Sequence, residues 1–305
     1  MDRSIDWDNQ RAFLAVLEEG SLSAAARRLG VAQPTLRARI EALEHALDTV
    51  LFTRSVRGLT PTEQARALGR SARAMARASE AFVRAASARP GEVEGIVRLS
   101  VAEMIGIEVL PAMLADLRKR HSRLIVEIEL SNVAANVLEQ EVDVAVRMHP
   151  PRQEALVARK VASIPLGLFA HVEYLSARGV PETIADLAQH DLIGSDRALA
   201  DREMTQRLLP GIDSSRFVVR TDSHPAQVAA ARAGLGIAVV QRPIGLSDPR
   251  LRPVLPGFAI PGLDAWIVTH EDLRELPRIR ALFDHLAEAF HTYQSIGSDP
   301  RRSRR

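Results

Sequence analysis

The sequence predicts a small α+β head and a larger α/β body joined by a long helix. Three observations lead there. Two short amphipathic helices meet across a glycine-containing turn within the first fifty residues. A stretch from Thr62 to about Arg89 is rich in alanine and arginine, keeps a 3-4 apolar repeat and stops at "ARPGEVEG". After it, β-branched runs alternate with helical patterns for about 200 residues, more than one five-stranded lobe requires, so the body reads as two similar lobes. The expected boundaries are a head over 1–61, a linker helix and hinge over 62–92, and a body over 93–305.

In the head, residues 6–19 read as a helix with Trp7, Phe13, Leu14 and Leu17 inward, stopped by Gly20. "SLSAAARRLG" is a short helix, capped by Ser21 or Ser23 and closed by Gly30. "VAQ" makes the turn. "PTLRARIEALEHAL" begins a second helix with Pro34 in its first turn, where a missing N–H has no consequence. Its buried stripe is Leu36, Ile40, Leu43 and Leu47. With that stripe inside, Pro34, Ala38, Glu41 and His45 face outward, flanked by Thr35 and Arg37.

The second helix of such a pair is built to enter the DNA major groove. Gln33 stands at its start, where a Gln amide can bond adenine twice, as an Arg can guanine. Glu41 would repel phosphate, so contact is expected to end before it. "LFTRSVRGLTPTEQA" then supplies a strand, a turn at Gly58 and a return strand at Leu59–Thr60. This is a hairpin wing, and the fold is a winged helix-turn-helix. The wing offers Arg54 and Arg57 to phosphate or the minor groove. The DNA-contact candidates are Ser21, Ser23, Gln33, Pro34, Thr35, Arg37, Arg39, Arg54 and Arg57.

Along the long helix, Ala65, Leu68, Ala72, Met75, Ser79, Phe82 and Ala86 form one seam of mostly small residues. Leu68, Ala72, Met75 and Phe82 are the candidates for a dimer contact. The alternative is a helix lying on its own head.

Charge separates the parts. Residues 21–89 carry 12 arginines against 5 acids, whereas 90–296 carry 22 basic residues against 27 acids. A basic head on an acidic body points to a polyanion partner for the head alone. The absence of cysteine excludes disulfides, thiolate zinc sites and cysteine nucleophiles, and fits a reducing cytoplasm. No secretion pattern and no apolar run of membrane-spanning length occurs, so a cytoplasmic protein without a membrane partner is expected.

The segment "FLAVLEEGSLSAAARRLGVAQPTLRARIEALEHALDTVLFTRSVRGLTPTEQA" resembles, without gaps, the N-terminal module of LysR-type transcriptional regulators. "GSLSAAARRLGVAQPT" and the "LF-R--R-LT-TE" wing carry the likeness. The resemblance implies that Gln33, Pro34 and Arg54 contact DNA. The chain departs from the family in having Arg37–Ala38 in place of the usual Ser-Arg, and Ala65 where Gly is frequent. The first departure bears on which sequence is bound.

The likeness continues into the body at "VRLSVAEMIG", "DVAVRM" and "AGLGIAVV", and implies a periplasmic-binding-protein-like effector domain. Lobe one is then expected over 93–164 and 267–292, lobe two over 165–266, and a basic disordered tail over about 297–305. Strands are read at "IVRLSV", "LIVEIEL", "VDVAVRM", "LGLFA", "RFVVRT", "GIAVV" and "DAWIVTH". Helices are read at Ile107–His121, Val133–Gln140 and about Pro277–Phe290, and the β-branched runs suggest a parallel sheet.

Open α/β lobes bind ligands at the carboxyl ends of their strands. That selects Ala102, Glu103 and Met104; Asn132, beside Ser131; Arg147, Met148 and His149; and Asp222, Ser223 and His224, with Ser223 able to cap the next helix. Helix N-termini favour anions, and related regulators often sense carboxylates. Glu103 suggests instead an effector with a donor or cationic group, unless Glu103 only favours its own helix dipole.

No G-x-S-x-G elbow, P-loop or H-E-x-x-H occurs. Gly234–Leu235–Gly236 follows a helix and reads as its stop. The nine histidines are scattered, His285 and His291 fall on different helical faces, and no metal or cofactor is expected. The expectation is a DNA-binding regulator, not an enzyme, that binds an interrupted palindrome as a homodimer or homotetramer. Its effector is a small molecule of unknown identity, and RNA polymerase is a further partner if it activates. The rivals are an enzyme with a DNA-binding head and an architectural DNA protein.

Overall fold

The computed structural model describes residues 5–55, 58–87, 89, 91–132, 142–150 and 156–298. The chain divides into two compact units at Ala86/Ser87.

The head holds α1 (Trp7–Glu19), α2 (Leu22–Leu29), α3 (Gln33–Leu47), β1 (Phe52–Ser55), β2 (Gly58–Pro61) and α4 (Glu63–Ala86). Asp6 caps α1 by accepting the Asp8 N–H at 3.0 Å, and Ser21 caps α2 by accepting the Ala24 N–H at 3.1 Å. Gly20 and Gly30 end the two helices in the left-handed region. Asp48 does the same for α3 at φ 50°, a residue type that gives little warning in sequence. Leu36, Ile40 and Leu43 are buried with Phe13, Val16 and Leu51; Leu47 packs on their edge and Trp7 is half-buried. β1 and β2 pair antiparallel, Phe52 opposite Pro61 and Arg54 opposite Leu59. Gly58 has φ +120° and lies so near the α1–α2 turn that a Cβ would come 2.9 Å from the Gly20 carbonyl oxygen. The neighbouring Leu59 N–H donates to that same oxygen at 3.1 Å.

The long helix divides its duties. Ala65 and Ala72 are buried in the head core, and Leu68 and Ala76 pack against it. This corrects their expected place on a dimer seam: Leu68 and Ala72 are covered by their own head. Met75, Phe82 and Val83 stay exposed, at 43%, 77% and 63%.

In the body, lobe one is a five-stranded sheet in the order β4-β3-β5-β12-β6. Its strands are β3 (Gly95–Val101), β4 (Leu124–Leu130), β5 (Val144–Arg147), β6 (Leu156–Ile164) and, after lobe two, β12 (Leu263–His270). β3 runs parallel to β4 and β5, and β12 antiparallel to β5 and β6, so the sheet is mixed rather than all parallel. β12 is the returning strand, and it enters from the opposite end. It starts at Leu263, so the expected cut at 266/267 fell inside a strand.

Between β3 and β4 the chain forms α5 (Glu103–Glu108) and α6 (Leu110–Arg120), not one helix from Ile107. Pro111 cannot donate to the carbonyl of Ile107, and the helix restarts at Leu110 after Val109, which caps both pieces. The reading of Val133–Gln140 as a helix lies outside the described residues.

Lobe two contains β7 (Leu166–His171), α7 (Val172–Arg178), β8 (Leu192–Gly194), α8 (Leu199–Leu208), β9 (Phe217–Arg220), α9 (His224–Arg232), β10 (Ala238–Gln241), α10 (Arg242–Ser247) and β11 (Leu251–Val254). β7 lies antiparallel between β10 and β11; β8 and β9 are parallel, and the bridge Leu192–Ile237 joins the two sheets. Gly234 ends α9 at φ +76°, as its sequence position implied, and Gly236 leaves room for the Asp191 carbonyl, 2.4 Å from where a Cβ would stand.

After β12 the chain continues in lobe one through α11 (Glu271–Arg274) and α12 (Pro277–Ser298). Ile279, Leu282, Leu286 and Phe290 of α12 are fully buried with Val97, Leu99, Val101, Val144 and Val146 of the sheet. The helix runs eight residues beyond Phe290, taking in Gly297 and Ser298 that were expected in the tail. The rest of the tail lies outside the described residues. His285 is a packing residue: its Nε2 lies 2.7 Å from the Met113 carbonyl oxygen, and its Nδ1 meets Arg120.

Candidate DNA-reading surface and effector cleft

The first turn of α3 stands out from the head. Gln33, Pro34, Thr35, Arg37 and Ala38 are exposed while Leu36 beside them is fully buried. Arg39 is drawn away from this surface, with Nη2 2.8 Å from the Asp8 carboxylate of α1. Ser21 has its hydroxyl engaged as the α2 cap, and Ser23 remains exposed 3.3 Å from it. Arg54 sits on β1; its side chain and the whole of Arg57 lie outside the described residues.

Sequence reading missed the tie between α3 and the wing. The Glu44 carboxylate accepts the Leu51 N–H at 2.6 Å and the Phe52 N–H at 3.2 Å, and Phe52 then packs its ring on Phe13 at 5.7 Å. Nothing in the spacing of Glu44 distinguishes it from a solvated helix glutamate.

In the body, the carboxyl ends of β3 and β5 and the start of α9 gather most of the predicted effector residues. Ala102 is the N-cap of α5, and the Glu103 N–H donates to Oδ1 of Asn132 at 3.1 Å. The Glu103 carboxylate accepts the Ser223 hydroxyl at 3.2 Å, so lobe one and lobe two touch here. Ser223, the N-cap of α9, makes no side-chain cap bond to its own helix.

Asp222 accepts the backbone N–H groups of Asp196, Arg197 and Ala198 at 2.9–3.0 Å. These bonds, the one from Ala198 foremost, hold its carboxyl below the usual range. His224 Nε2 lies 3.0 Å from the Asp201 carboxylate, which also accepts the Ser195 hydroxyl at 3.2 Å. The Asp201 bond raises the imidazole pKa, and the charges of Glu103 and Asp222 act in the same direction.

Three predicted residues are placed differently. Met104 is buried in the lobe-one core, because it occupies the inward position of α5. Arg147 is buried and donates to the Ser100 carbonyl at 3.2 Å, the Ser100 hydroxyl at 2.8 Å and the Val146 carbonyl at 2.9 Å; burial lowers its pKa. Met148 packs partly against the core, whereas His149 is exposed. Ser195, Asp201 and Gln227 were missed. Ser195 follows β8, a three-residue strand too short to be recognised by pattern; Asp201 lies on α8, and the buried Gln227 of α9 donates to the Thr221 carbonyl at 2.7 Å.

A cavity of about 280 Å³ lies beside them, lined by Ser195, Arg202, Thr205 and Phe217 among others. A larger groove of about 850 Å³ opens among α6, α10 and α12. Among the described residues no group of three or more His, Asp or Glu side chains is placed to hold a metal, and no helix is long and apolar enough to cross a membrane.

Comparison with known proteins agrees with this anatomy. Residues 7–66 match the bacterial regulatory helix-turn-helix proteins of the lysR family, and residues 90–291 match the LysR substrate binding domain. The HTH-type transcriptional activator AaeR of Escherichia coli (strain K12) is 27% identical over 235 residues, 75% of this chain and 74% of that protein. The HTH-type transcriptional activator TtdR of the same organism is 24% identical over 288 residues, 91% of each chain. Among solved structures, CbnR, a LysR family transcriptional regulator, aligns with TM-score 0.68 at 20% identity, covering 93% of this chain and 99% of that one. The Vibrio cholerae virulence activator AphB aligns with TM-score 0.61 at 22% identity, covering 94% and 99%. With a reading helix and wing in front and a two-lobed substrate-binding domain behind, the chain belongs to the LysR family: it is a transcriptional regulator with a helix-turn-helix DNA-binding domain and an effector-binding domain.

Proposed function

We propose that this regulator reads DNA through Gln33, Thr35 and Arg37 on the first turn of α3, with Pro34 fixing that turn and Ser23, Arg54 and Arg57 on phosphates. The observation carrying this is the pattern on α3: polar side chains exposed directly beside the buried Leu36. Gln and Arg at a helix start have the reach for bidentate base contacts. Two chains joined through the exposed Met75, Phe82 and Val83 of α4 place two reading helices on an interrupted palindrome.

The effector binds between the lobes, against Glu103, Asn132, Ser223 and His224, and acts by favouring one lobe arrangement over another. The protein works in the cytoplasm, where its DNA is, without a cofactor and without catalysis. RNA polymerase is its partner at promoters that it activates. Nuclease footprinting at physiological salt on the DNA upstream of its own gene tests this reading. A pair of protected half-sites, lost in the Arg37→Ala variant, is the expected result. Uniform, salt-sensitive coverage without discrete protection would refute specific reading there and favour an architectural role.

A further inference from the structure

The two lobes meet at α5 and α9, along a seam whose ends are unlike, as well as at α12, where Tyr293 donates to Gln241 at 2.7 Å and Gly297 accepts from Arg242 at 3.0 Å. α5 of lobe one and α9 of lobe two lie side by side, with Glu103 against Ser223 at their N-terminal ends and Glu108 against Arg232 at their C-terminal ends. Between them Ile105, Val228 and Ala231 are fully buried in one apolar cluster. At the C-terminal end the Arg232 guanidinium donates twice to Glu108, each bond 2.7 Å, and its Nε donates to Asp248 at 2.7 Å. The three side chains are only 23%, 17% and 7% exposed. Asp248, which belongs to lobe two like Arg232, is also held by Arg250 at 3.0 Å, so the guanidinium is aimed before it reaches lobe one. At the N-terminal end a single hydroxyl–carboxylate bond of 3.2 Å crosses the gap.

These contacts differ in kind. A two-pronged ion pair largely out of water resists separation, because parting leaves charges without partners. One hydroxyl bond to a carboxylate, part-buried like the ion pair, parts without leaving a cation stranded and exchanges more readily with water. We propose that the Glu108–Arg232 pair is the fixed pivot of interlobe motion and that the Glu103–Ser223 bond is the end that releases. Opening of the cleft is then a swing about the C-terminal ends of α5 and α9, widest at their N-terminal ends. The consequence for regulation rests on the reading of this cleft as the effector site: an effector seated there works on the releasing end.

The natural absence of cysteine allows a direct test on the full chain. Spin labels are placed as a front pair, His149→Cys with Arg197→Cys, and as a back pair, Ala112→Cys with Leu235→Cys, all at exposed positions. Labelled chains are diluted with unlabelled ones, and distance distributions are measured by pulsed electron resonance. The expected result is that Ser223→Ala broadens the front pair and leaves the back pair narrow, while Glu108→Gln broadens the back pair. Should Glu108→Gln fail to fold, Glu108→Asp replaces it, with a smaller broadening of the back pair expected. A back pair unmoved by the Glu108 change, a front pair unmoved by Ser223→Ala, or a back pair broadened by Ser223→Ala overturns the proposal. No effector enters the measurement, so its failure would leave the effector-cleft reading standing.

Discussion

Replacing Glu44 by alanine removes a side chain of α3 that, among the described residues, holds the start of the wing. Its Oε1 accepts the Leu51 N–H at 2.6 Å and the Phe52 N–H at 3.2 Å. Leu51 is fully buried, so its amide loses its acceptor without gaining water, at about 1–3 kcal/mol. Phe52 is only half-buried and its amide can be rehydrated, adding about 0.5–1 kcal/mol. The expected destabilisation of the head is therefore about 1.5–4 kcal/mol, and Glu44→Gln, which keeps an acceptor oxygen, should cost less, about 1 kcal/mol. Two tryptophans are present, Trp7 in the head and Trp266 in lobe one. A Trp266→Phe background thus makes Trp7 fluorescence the reporter of the head during urea unfolding. DNA affinity should fall as the wing loosens. Equal losses for the Ala and Gln variants, or a loss below about 0.5 kcal/mol for Ala, would sink the argument, because that is the size of an ordinary surface change.

The other expectations concern separate parts. Because His224 has a raised pKa in the folded chain, its contribution is fully present below the unfolded value of about 6.5 and is lost as pH rises through the folded value; melting from pH 6 to 8 should show this slope, and Asp201→Asn should flatten it. Gly58→Ala puts a Cβ 2.9 Å from the Gly20 carbonyl oxygen at φ +120°, and the head should lose more than about 1 kcal/mol in the same Trp7 assay. Arg37→Ala should remove about 1–3 kcal/mol of discrimination at one base pair, measured by competition against variant sites, with little change in salt dependence. Phe82→Asp should weaken self-association in sedimentation runs without lowering the melting temperature, since that ring is 77% exposed within its chain.

Legibility in the sequence followed the range of the forces involved. Helix α3 and its stripe were plain, because Leu36, Ile40 and Leu43 record a local period. The left-handed Asp48 and the bond from Glu44 to the wing were not, because neither alters any pattern. The β-branched runs were read as strands, whereas Leu156–Ile164, Leu192–Gly194 and Leu251–Val254 were not read, and the reversal of β12 is a matter of topology that composition does not carry. At the ends of β3 and β5, strand geometry brought Glu103 and His149 to the surface between the strands and helices as expected, but not their neighbours. The inward turn of Met104, the backbone bonds of Arg147 and the Arg232–Glu108 pair depend on partners up to 124 positions away. On α4, the 3-4 repeat was real but did not say which neighbour would cover it.

That helix has a mechanical consequence. With Ala65 and Ala72 buried in the head core, Leu68 packed against it, and a Cβ at Gly69 falling 2.7 Å from Leu17 if one were present, α4 and the head have no slack between them. They form a single stiff arm. Its 24 helical residues span about 36 Å at about 1.5 Å per residue. A tilt of about 10° at the far end sweeps the head through about 6 Å, close to two base-pair steps at about 3.4 Å each. Small angular adjustments at the base of the arm are thus geared up to the scale on which half-site spacing is measured.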